Sequence, residues 1–156
     1  MRVEFTVPVL PVGRPKLRVG IKRLGEPCPH CGKLPDAIGY LYPSATAKEA
    51  ERALRSAIVA RVVPQALNGP VRLLLRIVLR RPQALIWANK EMPPVWAPVK
   101  PDADNVVGLV QDTLQALGFF RDQQVVRLDV EKFYAAGPGY GDTRPRIAVR
   151  MEEIEG

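Results

Sequence analysis

The sequence has little histidine or cysteine and no long hydrophobic segment. His30 is the single histidine, and Cys28 and Cys31 are the only cysteines. Two cysteines at this spacing exclude the disulfide framework of a small secreted protein. No run of about 18 apolar residues is present, and the first ten residues lack the basic and apolar regions of a signal peptide. These absences predict a cytoplasmic protein that does not enter a membrane.

Acidic residues are also scarce. The chain of 156 residues has 16 acidic residues against 23 basic ones, which gives a formal charge of +7. This balance favours a polyanionic partner, and nucleic acid is the leading class. A length of 156 residues predicts one domain, 1–156, with a substantial hydrophobic core.

Hydrophobic periodicity predicts four strands and two helices. Strands are predicted at 2–7, 71–80, 126–132 and 147–151, because apolar and polar residues alternate there. Helices are predicted from Thr46, where a capping box begins, to about Val63, and from the acids after Pro101 to Leu117. The order β-α-β-α-β-β is typical of a small α+β domain, with both helices packed on one face of a mixed sheet.

Two stretches lie outside these elements. Residues 13–43 form a basic excursion without sustained periodicity, and residues 82–101 form a stiff loop rich in proline that carries Trp87 and Trp96. Each tryptophan is either a base-stacking group or, as we favour, a group that packs the loop against the body of the domain.

Half of a zinc site lies in the basic excursion. Cys28 and Cys31 stand in the sequence CPHCG, which matches one zinc knuckle. Completion requires the same knuckle from a second subunit or an unusual ligand such as Asp36. The alternatives are a degenerate knuckle and a reduced dithiol.

Several aspartates lie close together in the sequence between residues 100 and 124, although the chain as a whole is basic. Asp102 and Asp104 begin the second helix, where carboxylates serve as caps because the helix dipole favours negative charge. Asp122 follows the same helix after a turn at Gly118, so a return of the chain would bring it beside the other two. Three converging carboxylates require a cation, and oxygen ligands suit Mg²⁺ or Mn²⁺.

The stretch from Lys100 to Lys132 resembles one nuclease family. KPDADN, the helix through Asp112, and RDQQVVRLDVEK are similar to the pattern of the RusA crossover-junction endodeoxyribonucleases: K-P-D-x-D-N, a helix with D-A-L, then D-D-x-Q-V and a strand ending in lysine. The resemblance implies a homodimer that binds four-way (Holliday) DNA junctions and, with Mg²⁺, nicks two strands symmetrically.

The resemblance also implies roles for individual residues. The three metal-binding aspartates fall on Asp102, Asp104 and Asp122, and we predict that Asn105, Asp112 and Gln124 support them. The predicted DNA contacts are Lys100, Lys132, Arg14, Lys16, Arg72 and Arg76.

Two positions depart from the family pattern. Gly108 stands where a lysine is usual, one helical turn after Asp104, so an expected catalytic cation is missing. Arg121 stands where the family often has an acid, and our hypothesis is that Arg121, or else Lys100, supplies the missing charge. The predicted function is resolution of junctions by metal-assisted hydrolysis in recombination and repair. The alternatives are an inactive dimer that binds branched DNA, a nuclease for other branches, and a zinc-knuckle interaction module.

Overall fold

A computed structural model describes residues 1–8, 17–23, 25–26, 29–31, 37–43, 45–87, 90–140 and 143–155. By its internal contacts the chain divides into two compact units, Met1–Arg14 with Ala50–Gly156, and Pro15–Glu49. The elements, in order, are β1 (Arg2–Val7), β2 (Leu17–Arg23), β3 (Ala37–Pro43), α1 (Ala45–Val59), β4 (Val71–Leu79), β5 (Val95–Trp96), α2 (Ala103–Ala116), β6 (Val125–Tyr134) and β7 (Arg146–Glu153).

The first unit is built on a mixed five-stranded sheet with the order β1-β7-β4-β6-β5. β4 lies at its centre, antiparallel to β7 and parallel to β6. β1 adds to β7 and the two-residue β5 adds to the end of β6, both antiparallel. The sheet is therefore mixed, as the sequence predicts.

The core lies on one face of this sheet. Val3, Phe5 and Val7 of β1 are buried, as are the residues that face them through the ladder to β7 and β4. Leu54 and Ile58 of α1 join the same hydrophobic cluster, and α2 adds five residues to it: Val106, Val107, Leu109, Val110 and Leu114. Alternation in the strands and the spacing of three and four in the helices place these side chains in one layer. The α+β class with two helices is confirmed.

Three strands were not predicted from the sequence. β2 and β3 form a separate antiparallel pair within 13–43, in the second unit, so the absence of periodicity inferred for that stretch is wrong. Leu17, Val19 and Ile21 alternate with polar residues and glycine, which is a short period-two pattern. β5 lies inside the proline-rich loop, and its two residues bond the edge of β6.

The ends of two elements also differ from prediction. α1 begins at Ala45 and ends at Val59, four residues before the predicted Val63. Proline disfavours helical geometry in the residue before it, so the chain leaves the helix before Val63 and Pro64. β6 continues through Tyr134 instead of ending at Lys132, because its last two residues pair with β5.

Candidate active site

The start of α2 presents two exposed carboxylates. Asp102 is the N-cap, with extended backbone (φ −66°, ψ 143°), and its side chain makes no capping hydrogen bond. Asp104 lies in the first turn of the helix. The dipole at a helix N-terminus tolerates both charges, but the capping bond that would explain Asp102 as a purely structural residue is not formed.

Asp122 comes from a different element. The chain leaves α2 through Gly118, whose φ of 80° favours glycine, and the buried pair Phe119 and Phe120 then anchors the turn. A short 3-10 turn, Asp122–Gln124, follows and leads directly into β6. The exposed Asp122 carboxylate therefore projects from a turn that is fixed by core packing on one side and by the sheet on the other.

Asp104 and Asp122 line one open pocket of about 660 Å³ between α2 and β6. Asp112, two turns along the helix, lines it as well, and Leu128 and Val130 of β6 contribute apolar wall. No basic side chain of the described residues lines this pocket. Asp102 stands at the helix start, outside the lining.

The carboxylates of Asp102, Asp104 and Asp122 make no hydrogen bond or ion pair with any described residue. Exposed acids without a partner, in a protein of charge +7, are well suited to bind a hard cation. Across the described ranges, no group of three His, Cys, Asp or Glu side chains is close enough to hold a metal ion. The donor chemistry fits Mg²⁺, but the three aspartates are not gathered into one ligand shell.

Lys132 fixes the segment that precedes the acids. Its ammonium donates to the carbonyl oxygens of Val99 (2.7 Å) and Pro101 (3.0 Å). Its own carbonyl accepts from Ala97 N at 3.1 Å. The ring of Trp96 stacks on Phe133 at 4.4 Å between centroids, so the tryptophan packs the loop against the sheet. The sequence pointed to Lys132 as a DNA contact, but its side chain holds loop backbone.

Gln124 braces the turn that carries Asp122. Its amide nitrogen donates to Leu67 O (2.9 Å) and Gly69 O (3.1 Å), and its amide oxygen accepts from Arg121 N. The backbone N–H groups of Asn68 and Gly69 donate to the carboxylate of Glu153. These bonds lower the pKa of Glu153, with the Asn68 bond as the largest cause. Glu153 was missed from the sequence because it lies far along the chain from this turn.

Gly108 and Arg121, the two departures from the family pattern, lie in different cavities. Gly108 lines the carboxylate pocket, so a lysine there would have faced it. Arg121 is exposed and lines a second cavity with Leu67, Gln115 and Phe120. Lys100 is exposed, and Asn105 is half-buried in the first turn of α2.

Arg72 and Arg76 lie on the face of the sheet opposite the core. Arg72 donates to Asp129 at 2.7 Å, and this bond raises the pKa of Arg72 and lowers the pKa of Asp129. Arg72 also pairs with Glu152 at 3.3 Å. Arg76 lies 3.4 Å from Glu131 and stands over the Phe133 ring at 4.9 Å. Both predicted DNA contacts are therefore already engaged by acids.

The remaining predicted sites lie largely outside the described residues. Arg14, Lys16, Asp36 and Cys28 belong to ranges that the structure does not describe. Cys31 is described, and it is an exposed free thiol. Zinc at the knuckle therefore stays a prediction.

The model of the Endodeoxyribonuclease RusA family matches residues 25–152. The chain belongs to the RusA endodeoxyribonuclease family. No curated protein matches the chain closely enough to indicate a relative.

The matched range, residues 25–152, contains the whole carboxylate pocket and the elements that build it. Membership in the RusA family implies an endonuclease that resolves Holliday junctions, and therefore a protein that binds branched DNA. No helix in the described ranges is long and apolar enough to cross a membrane.

Proposed function

We propose that this protein is a Mg²⁺-dependent (or Mn²⁺-dependent) endodeoxyribonuclease that resolves four-way DNA junctions as a homodimer, in recombination and repair. One observation carries the metal site: Asp104 and Asp122, from separate elements, line one pocket, and neither carboxylate has a partner among the described residues. Carboxylates left without cations in a strongly basic protein fit a site that takes its positive charge from an ion.

In this proposal the carboxylates of Asp102, Asp104 and Asp122 hold the ion. When bound, the ion activates water at neutral pH and polarises the phosphate. The chain's own contribution is positional: Lys132 holds the backbone ahead of Asp102, and Gln124 holds the turn of Asp122. Leu128 and Val130 give the pocket an apolar wall on one side.

The charge that develops on the phosphate also needs a cation from the protein. Gly108 removes the usual one from α2. We retain Arg121 as its replacement because it precedes Asp122 directly, is exposed, and carries a long side chain. Lys100 is the second choice for the same reason of proximity to Asp102.

A second function is favoured by the same glycine. Gly108 lines the pocket, and no basic side chain of the described part lines it. A family member without its catalytic cation would bind branched DNA as a dimer and cut it weakly or not at all. In this alternative the protein still binds branched DNA but does not hydrolyse it efficiently.

The test is a single-turnover cleavage assay on a synthetic four-way junction, a flap and a linear duplex, with and without Mg²⁺. The variants are Asp104→Asn, Asp122→Asn and Arg121→Ala, and the matched control is Glu51→Gln, an exposed acid on α1. We expect paired, Mg²⁺-dependent nicks on the junction, at least about 100-fold slower with either asparagine and unchanged in the control. Arg121→Ala should slow cleavage without weakening junction binding.

Three outcomes would contradict parts of this proposal. Tight binding to the junction without Mg²⁺-dependent nicks would establish the inactive binder. Full activity of Asp104→Asn would remove the pocket from the mechanism. Parental cleavage by Arg121→Ala would show that another group supplies the cation.

A further inference from the structure

One edge of β6 has almost no partner in the described part of the chain. β4 pairs with β6 on the other side along its whole length, from Val125 to Tyr134. On the outer side, β5 reaches only Phe133 and Tyr134. The stretch from Val125 to Val130 is therefore an open sheet edge.

The backbone groups that face this open edge can be identified. Ala135 N donates to Leu79 O toward β4, whereas Lys132 O accepts from Ala97 N on the outer side. Because the N–H and C=O of one residue point to the same edge and successive residues alternate, the even-numbered residues beyond the register shift at Val126 face outward. Leu128 and Val130 therefore direct their N–H and C=O outward, and no described residue bonds to them.

The open edge has few features that would prevent pairing. Its sequence, VVRLDV, contains no proline or lysine, which commonly protect exposed edges. The side chains of Val126 and Leu128 are 61% and 44% exposed. A register shift next to Val126 interrupts the ladder at one end only. An exposed apolar edge of this kind is a template for another strand.

We propose that the open edge of β6 pairs antiparallel with the same edge of a second copy of this chain, with the two-fold axis at Leu128. This pairing extends the two sheets into one, and it gives a surface to the homodimer of the proposed function, on which it rests. In this register Leu128 faces its own copy, Arg127 faces Asp129, and Val126 faces Val130. A two-fold interface of this kind requires a self-complementary edge, and this sequence provides one.

Charge selects this register over its neighbours. An axis at Arg127 would place two arginines opposite each other, and an axis at Asp129 would place two aspartates opposite each other. An axis at Val130 would place Asp129 opposite Glu131. Like charges directly opposite destabilise a strand pair, whereas opposite charges and apolar pairs stabilise it. The axis at Leu128 joins opposite charges on one face and apolar residues on the other.

The pairing bears on the carboxylate pocket. Leu128 and Val130 line the pocket together with Asp104 and Asp122. The partner strand would lie directly beside this wall, so each pocket would border the second copy. The two pockets would then be related by a two-fold axis on one face of a continuous sheet, which suits two symmetric cuts.

Cysteine cross-linking tests the register directly. In a Cys28→Ser/Cys31→Ser background, Leu128→Cys places two thiols opposite each other, because Cα atoms of a hydrogen-bonded pair are about 5.5 Å apart and a disulfide spans about 4.4–6.8 Å. Val126→Cys is the matched control on the same strand and face. Its two copies would be offset by four residues, about 13 Å. We expect several-fold more disulfide dimer from Leu128→Cys, and cross-linking when Val126→Cys and Val130→Cys chains are mixed.

A charge exchange gives an independent measurement. Arg127→Asp places acids opposite acids, and Asp129→Arg places bases opposite bases, so each variant alone should be a monomer. Mixed together, the two variants form complementary pairs and should associate. Sedimentation equilibrium measures the masses against 17.3 kDa for one chain. Urea denaturation of each variant controls for folding, since Asp129 also bonds Arg72.

These experiments use neither DNA nor Mg²⁺, so their result is separate from that of the cleavage assay. A parent protein that stays monomeric at about 100 µM, well above the concentrations of stable dimers, would overturn the proposal. Equal cross-linking of Leu128→Cys and Val126→Cys, or no association of the mixed charge variants, would also overturn it. A dimer that disappears in the Cys28→Ser/Cys31→Ser background would place the interface at the knuckle instead.

Discussion

At the scale of single residues, Arg81 holds together segments that are distant in the sequence. It is buried, with 7% of its surface exposed. Its guanidinium donates to the carbonyl oxygens of Ala135 (2.7 Å), Leu85 (3.2 Å) and Pro93. The end of β6, a 3-10 turn at Gln83–Leu85 and the proline-rich loop therefore meet at one cation. The sequence could not distinguish Arg81 from its exposed neighbour Arg80, because burial depends on where the loop packs.

Replacing Arg81 with lysine should destabilise the protein even though the positive charge is kept. Lysine keeps the charge but cannot reproduce the planar fork that reaches three carbonyl groups. We expect Arg81→Lys to lower the free energy of unfolding by about 2 kcal/mol, measured by urea denaturation, because buried acceptors lose their donors. Arg80→Lys, at the exposed neighbouring position, should stay within about 0.5 kcal/mol of the parent. Equal stability of the two variants would show that water replaces the guanidinium without cost.

At the scale of elements, local pattern decided how much could be predicted. β1, β4 and α2 have long, regular periodicity, and the structure confirms all three. β5 has only two residues and forms because the edge of β6 is available, so no local sequence pattern predicts it. The same limit applies to the site: the spacing of Asp104 and Asp122 could be matched to a family, but the direction of the Lys132 side chain depends on the fold.

Lys132 connects the end of β6 to the loop that enters α2, and its loss should act through that loop. Lys132→Met removes the donor to Val99 O and Pro101 O. We expect faster hydrogen exchange in residues 97–101 and slower single-turnover cleavage, with junction affinity in the absence of Mg²⁺ unchanged. Lys90→Met, at an exposed loop position, is the control. A variant that binds DNA more weakly but cuts normally at saturation would identify Lys132 as a phosphate contact instead.

At the scale of the whole molecule, the positive charge is unevenly distributed. On the face of the sheet opposite the core, here called the open face, arginines pair with acids. Arg72 and Arg127 share Asp129, and Arg150 pairs with Glu152. These bonds lower the pKa values of Asp129 and Glu152, so both acids stay charged at neutral pH and neutralise their partners. Residues 13–43, by contrast, carry six basic residues against two acidic ones. More than half of the net charge of +7 therefore comes from residues 13–43.

This distribution predicts which cations set the salt dependence of DNA binding. Each phosphate contact releases a counterion, so losing one lowers the slope of log affinity against log salt by about 1. We expect Lys100→Gln, which removes an exposed cation beside the acids, to lower the slope by about that amount. Arg72→Gln should leave the slope unchanged, because Asp129 and Glu152 already neutralise Arg72. Fluorescence anisotropy with a Mg²⁺-free junction, from about 50 to about 200 mM salt, measures both slopes. A reduced slope for Arg72→Gln would mean that the junction displaces its acids, and the open face would then belong to the DNA surface.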